Sequence, residues 1–180
     1  MTIALSGFMG SGKSTVASLL AAKTGCFFFD LDDTVEMEEG RSISEIFESE
    51  GEGGFRVLEL DYLQRILGDY RDFPTDMIIA LGGGTLTTPA CVKLLKEECT
   101  TVYLRASESQ LVENLQIVGI ENRPLFSGVD LDDKAAMLRK VHFLMEQRGG
   151  IYEKTADIII DTDGLSFEQI AQRVADALSL

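Results

Sequence analysis

The nine residues GFMGSGKST, from Gly7 to Thr15, restrict this chain more than any other stretch of it. They fill the pattern G-x-x-x-x-G-K-[ST] with Gly7, Gly12, Lys13 and Ser14. The small residues Gly10, Ser11, Gly12 and Ser14 let the backbone curl until its N–H groups face an anion. A helix that follows aims its positive end at the same point. Lys13 is placed to reach the outer phosphates of a nucleotide, and the Ser14 hydroxyl to ligate Mg²⁺. Such a loop needs a strand before it and a helix after it. "TIALS" reads as the strand and "STVASLLAAKTG" as the helix, closed by Gly25. A glycine-rich turn that merely contained a lysine would not need this frame. The loop alone does not separate a kinase from a hydrolase or a switch.

The rest of the chain repeats the alternation. Apolar runs at 2–5, 26–30, 77–82, 101–105 and 157–161 are short and hardly alternate, as expected for strands buried on both faces. Helical patterns lie between them. Ser42 with Glu45, Ser107 with Gln110 and Ser166 with Gln169 have capping-box spacing, and Pro89 suits a first helical turn. Another helix begins near Asp132 and is expected to end at Gly149 and Gly150. The stretch "SGVDLDD" at 127–133 is the most loop-like. Strand–helix alternation predicts a parallel sheet covered by helices on both sides. With 180 residues and no repeat or linker, one domain over 1–180 is expected.

Bulk composition narrows the partners. Acidic residues outnumber basic ones by 30 to 16, a net charge of −14 that argues against nucleic acid. A small anionic substrate is still compatible, because local arginines override net charge. Cys26, Cys91 and Cys99 are odd in number and fit no metal-site spacing, so reduced, mostly buried thiols are expected. No apolar run approaches the ~18 residues that span a bilayer. The N-terminus has no basic region before its apolar run, so a cytoplasmic location is expected, with no membrane partner.

Candidate site residues follow the strands. In an open parallel sheet, ligands bind beyond the carboxyl ends of the strands. "FFFDLDD" puts Asp30, Asp32 and Asp33 there, beside the phosphate loop. If the strand continues, residues 30 and 32 point to one side; one carboxylate can serve Mg²⁺ and the other an attacking hydroxyl. Asp33 is better read as a helix N-cap. Gly82, Gly83 and Gly84 follow the third strand and allow close backbone approach by a ligand. Arg56 and Glu59, three apart on a helix, read locally as an exposed ion pair of little consequence. Arg123, in "ENRPLF", could close over phosphates from a mobile loop. Arg148 reads locally as a complement to a helix C-terminus, and His142 as structural.

Taken together, GFMGSGKST, DLDD, GEGGFR, LGGG, ENRPL and the R-x-x-x-Y of "RGGIY" resemble the shikimate kinase family, in order and over nearly the whole chain. The resemblance implies a P-loop NTPase-type three-layer α/β sandwich, with a five-stranded parallel sheet of order 2-3-1-4-5 and helices on both faces. It implies ATP-dependent phosphorylation of the 3-hydroxyl of shikimate, on the way to chorismate and the aromatic amino acids. By position, Lys13 and the loop residues Gly10, Ser11, Gly12, Ser14 and Thr15 hold the phosphates, and Ser14 and, through water, Asp30 hold Mg²⁺. Asp32 bonds the attacking hydroxyl and takes its proton. Arg56 and Arg148 grip the shikimate carboxylate, Glu59 supports Arg56, and Gly82, Gly83 and Gly84 contribute backbone. Arg123 comes from a lid at about 116–131, and about 31–62 forms the substrate-binding subregion. The implied partners are ATP and shikimate; a monomer is expected. The chain departs from the family at "RPLF", where RPLL is usual, and in having no Arg or Lys at 111–119 or 161–166, the adenine side. Another hydroxylated acceptor such as gluconate, or a nucleotide switch, are the rivals. A GTPase switch would carry N-K-x-D, which this chain lacks.

Overall fold

The computed structural model describes residues 1–120 and 123–180. Five strands form one parallel sheet: β1 (Thr2–Ser6), β2 (Phe27–Asp30), β3 (Met77–Ala80), β4 (Thr100–Arg105) and β5 (Ile158–Asp161). Their order is β2-β3-β1-β4-β5, as expected. Among the described residues, seven α-helices connect and cover them: α1 (Lys13–Thr24), α2 (Leu31–Glu39), α3 (Ile43–Asp69), α4 (Pro89–Glu98), α5 (Glu108–Val118), α6 (Lys134–Thr155) and α7 (Phe167–Leu178).

Period-2 alternation along β1 divides the core. Ile3 and Leu5 point to one face, against Val16, Ala17 and Leu20 of α1 and Ile170 and Val174 of α7. Ala4 points to the other, larger layer, which holds Leu63 of α3, Leu95 of α4, Leu111 of α5 and Val141 of α6. The result is three layers with the sheet in the middle. Burial on both faces holds for β3 but not for the edge strands, where Phe27 of β2 and Ile159 of β5 are each 39% exposed. An edge strand has a neighbour on one side only, and the covering helices do not reach past it.

Three local expectations change. Helix α6 runs through Gly149 and Gly150 to Thr155, because neither glycine takes the left-handed conformation that ends a helix and the next turn buries Tyr152 and Thr155. The Ser42 and Ser166 capping boxes form in full. Ser107 caps α5 through the Gln110 N–H, but the Gln110 side chain turns to Asn114 instead of completing the box. β2 stops at Asp30, and α2 starts at Leu31, so Asp32 lies on a helix and not on an extended strand. Helix α3 carries a break at Gly51, whose φ of 73° only glycine adopts freely. All three cysteines are free thiols, and burial pushes Cys91 up to about 11 and Cys99 up to about 12.

Candidate active site

The phosphate loop joins β1 to α1 at the carboxyl rim of the sheet. Gly12 is the turning point: its φ of +85° is left-handed, and a Cβ there would collide with the Phe167 ring. Lys13 is buried, and its ammonium donates to the carbonyls of Gly7 (3.0 Å) and Phe8 (3.1 Å). Burial lowers its pKa to about 8, against the pull of Asp32 and Asp30. Ser14 donates its hydroxyl to Asp30.

Asp30 ends β2 and does two things. One oxygen receives Ser14, and the other caps α2 by accepting the N–H groups of Asp32 (3.0 Å) and Asp33 (3.3 Å). The N-cap is therefore Asp30, not Asp33. That cap turns the chain sharply and brings Asp32 inward within the first turn of α2. Asp32 Oδ1 is buried and has no hydrogen-bond partner among the described residues. Burial, with the nearby charges of Glu59 and Asp30, raises Asp32 from 3.8 to about 7, while Lys13 and Arg56 pull the other way.

The rim opens into two cavities. The larger, about 630 Å³, holds the phosphate loop. The smaller, about 70 Å³, is bounded by Arg56, Arg148, Gly84 and the apolar side chains of Ile43, Phe47 and Phe55. Met9, Asp32, Gly83 and Arg123 line both and form the wall between them. Arg56 and Glu59 are no exposed pair. Glu59 is fully buried, Arg56 nearly so, and they form an ion pair within α3. Arg56 lies flat against Gly84, where a Cβ would collide with its guanidinium. Arg148 is buried mid-helix on α6, so it does not serve that helix's C-terminus. It donates to the Gly83 carbonyl at 3.3 Å, beside the Tyr152 hydroxyl at 2.5 Å. Two guanidiniums, one carboxylate of raised basicity and a phosphate cradle thus face a common junction. Such an arrangement is chemically suited to phosphoryl transfer onto an anionic acceptor.

The sequence profile of the family described as shikimate kinase matches residues 9–179. The chain belongs to the shikimate kinase family. It is 36% identical over 178 residues to the shikimate kinase of Chlorobaculum parvum, covering 96% of this chain and 91% of that one. It is 37% identical over 172 residues to that of Thermodesulfovibrio yellowstonii, with coverage of 96% and 91%. The solved structure of the shikimate kinase from Acinetobacter baumannii in complex with shikimate matches with a TM-score of 0.87 at 30% identity, covering 99% of this chain and 93% of that one.

Most residues implied by the resemblance to shikimate kinases converge on these two cavities. Gly10, Ser11, Gly12, Lys13, Ser14, Thr15, Asp30 and Asp32 line the larger one. Gly82 lies beneath the site: a Cβ there would meet Glu59 at 2.5 Å and Asp32 at 2.6 Å. Of the "ENRPL" motif, Glu121 and Asn122 lie outside the described residues, while Arg123 precedes a single 3₁₀ turn at Pro124–Phe126. His142 is a surface residue paired with Glu108 at 2.9 Å and lines neither cavity. Other contributors are not visible as motifs. Thr85, the residue after the glycine triplet, is wholly buried and donates to Glu59 at 2.6 Å. Asn114 donates to the Gly10 carbonyl at 2.8 Å and ties α5 to the phosphate loop. The far wall of the larger cavity carries Ile117, Val118 and Phe167, and among the described residues its only cations are Lys13 and Arg123. Segments 111–119 and 161–166 thus line it without a cation, through apolar Ile117, Val118 and Leu165 and polar Asn114, Thr162 and Ser166. No helix among the described residues is long and apolar enough to cross a membrane.

Proposed function

We propose that the enzyme transfers the γ-phosphoryl group of ATP to the 3-hydroxyl of shikimate, with ATP in the larger cavity and shikimate in the smaller. The observation that carries this assignment of cavities is their shared wall: Asp32 and Arg123 face both. A phosphoryl group crossing that wall passes a base on one side and a cation on the other.

The division of labour follows from each side chain's chemistry. The loop amides and Lys13 hold and neutralise the phosphates. Arg56 and Arg148 hold the acceptor carboxylate, for which the planar guanidinium fork is well suited. The apolar walls of Phe47 and Phe55 exclude water from the face of the acceptor ring. Asp32 accepts a hydrogen bond from the attacking hydroxyl; at a pKa near neutrality it takes the proton efficiently. Arg123 neutralises charge as the phosphoryl group moves. Most of the rate enhancement is then positioning and electrostatics.

Mg²⁺ fits the same rim. Ser14 and Asp30 converge as hard oxygen donors, and no cluster of three or more metal-ligating His, Cys, Asp or Glu occurs among the described residues. Ser14 and, through water, Asp30 would hold the ion, whose remaining ligands would be phosphate and water. When bound it supplies charge neutralisation between the phosphates. We read the chain as a single cytoplasmic, monomeric kinase domain, with its lid at about 116–131 and its substrate-binding subregion at about 31–62.

The test is ADP release by the purified enzyme with ATP and Mg²⁺, adding shikimate, gluconate or no acceptor. Stimulation by shikimate alone is expected. Equal stimulation by gluconate, or turnover independent of acceptor, would overturn the acceptor assignment.

A further inference from the structure

The acceptor arginine Arg56 is held by a carboxylate that is itself held, and the second support has no assigned role. Glu59 divides its two oxygens. Oε2 pairs with Arg56 and Oε1 receives the Thr85 hydroxyl at 2.6 Å. Both Glu59 and Thr85 are wholly buried, so no water competes for either oxygen. The Thr85 hydroxyl also lies 3.1 Å from the Gly82 carbonyl. It has one proton, and the carboxylate, nearer and charged, is the stronger acceptor. The Thr85 N–H meanwhile donates to the same Gly82 carbonyl at 3.2 Å and closes the glycine turn. Thr85 therefore joins the two halves of the acceptor cavity: the arginine on α3 and the glycine loop after β3.

We propose that Thr85 is a positioning residue for acceptor binding, fixing Arg56 through Glu59. This rests on the assignment of Arg56 to the acceptor carboxylate. Two features show why such a fixing point matters. Arg56 Nε is buried without a partner among the described residues, so the guanidinium is oriented from its outer nitrogens. Those nitrogens pair with Glu59, wholly buried, and with Glu52, which is 45% exposed and also lies 3.8 Å from Arg148. Glu59 Oε1 and Asp32 Oδ1 also crowd the same point above Gly82. Without the Thr85 hydroxyl, Glu59 loses the contact that keeps its charge on Arg56 and off Asp32.

The experiment compares T85V, T85A and T85S with the parent enzyme by steady-state kinetics, varying shikimate and ATP separately, with shikimate binding measured by calorimetry. T85V keeps the shape and removes the hydroxyl; T85S restores it. Loss of a buried bond to a charged group predicts that T85V and T85A raise the shikimate KM and Kd roughly tenfold. The ATP KM should stay within about twofold, and T85S should remain close to the parent. An unchanged shikimate KM in T85V would overturn the proposal. So would a T85S enzyme as impaired as T85V, or failure of both T85V and T85A to fold while T85S folds, which would assign a structural role. If the parent enzyme shows no stimulation by shikimate, the acceptor assignment itself fails, and that result is seen before any variant is made.

Discussion

Under the proposed assignment, the two cavities would hold anions by opposite means. The phosphate loop uses one contiguous segment, Gly7 to Thr15, in which backbone N–H groups and a single lysine supply the positive field. Its geometry is local: Gly12 turns, α1 begins, and Lys13 folds back onto its own loop. The acceptor cavity has no such segment. Its two guanidiniums come from α3 and α6, and they are brought together by the glycine triplet after β3, Arg56 against Gly84 and Arg148 on Gly83, and by Glu52, which reaches both. A loop of amides binds phosphate whatever else is attached to it. Two side chains from separate helices bind one shape of carboxylate, and depend on every layer of packing that sets their separation.

The comparison can be broken by substitutions on either side of the shared wall. The largest effect is expected at the wall itself. Asp32→Asn should lower kcat by about 10²–10⁴-fold while shikimate and ATP still bind, the scale of removing a general base. Near-normal turnover would rule out that role. The same variant has a stability signature. In the folded chain Asp32 titrates at about 7, not 3.8, so the folded state holds its proton longer than the unfolded one. That costs the parent stability as pH rises between those values, and a neutral amide in its place is free of the cost. The melting-temperature difference between variant and parent should therefore grow in the variant's favour from pH 4 to pH 7, and a constant difference would contradict the assigned environment.

Lys13→Met comes next, with a loss of about 10²–10³ in kcat, as for removal of one preorganised charge partner. The shikimate Kd should not change, because the residue serves the other cavity. Arg56→Ala should reverse that pattern: the shikimate KM rises about ten- to a hundredfold with the ATP KM little altered. An equal rise in both would show that the two cavities do not divide the substrates. The smallest effect is expected far from the wall. Ser42→Ala removes one half of a formed capping box at the start of α3 and should cost about 1 kcal/mol of stability by denaturant titration. Because α3 breaks at Gly51, between this cap and Arg56, kinetic constants should stay unchanged after that loss; a selective rise in shikimate KM would mean that the first turn helps set the cavity across the break.

Much of this molecule was legible from short-range pattern. The strand–loop–helix frame, the five apolar runs and the caps at Ser42 and Ser166 depend on neighbours a few residues apart, and they formed. Local pattern misjudged residues whose meaning depends on burial. Arg56 and Glu59 read as a surface pair, yet Glu59 is inaccessible and its charge reaches Asp32. Gly149 and Gly150 read as a helix end, yet burial of Tyr152 carries α6 onward and keeps Arg148 in its interior. Thr85 carried no signal beyond its place after three glycines, because a lone threonine hydroxyl is ordinary until a buried carboxylate is put beside it.

Local pattern along the chain was enough to specify the phosphate loop, the alternation that builds the sheet, and the family to which the ordered motifs point. Each follows from backbone geometry and period, which act between adjacent residues. The tertiary structure alone decided which charges are buried and which of them meet: Asp32 beside Glu59, Arg56 on Gly84, Arg148 and Tyr152 on one carbonyl. Removing charges from water and setting them within a few ångströms of each other changes their basicity and their grip on a ligand. That depends on the whole packed fold and not on spacing along the chain.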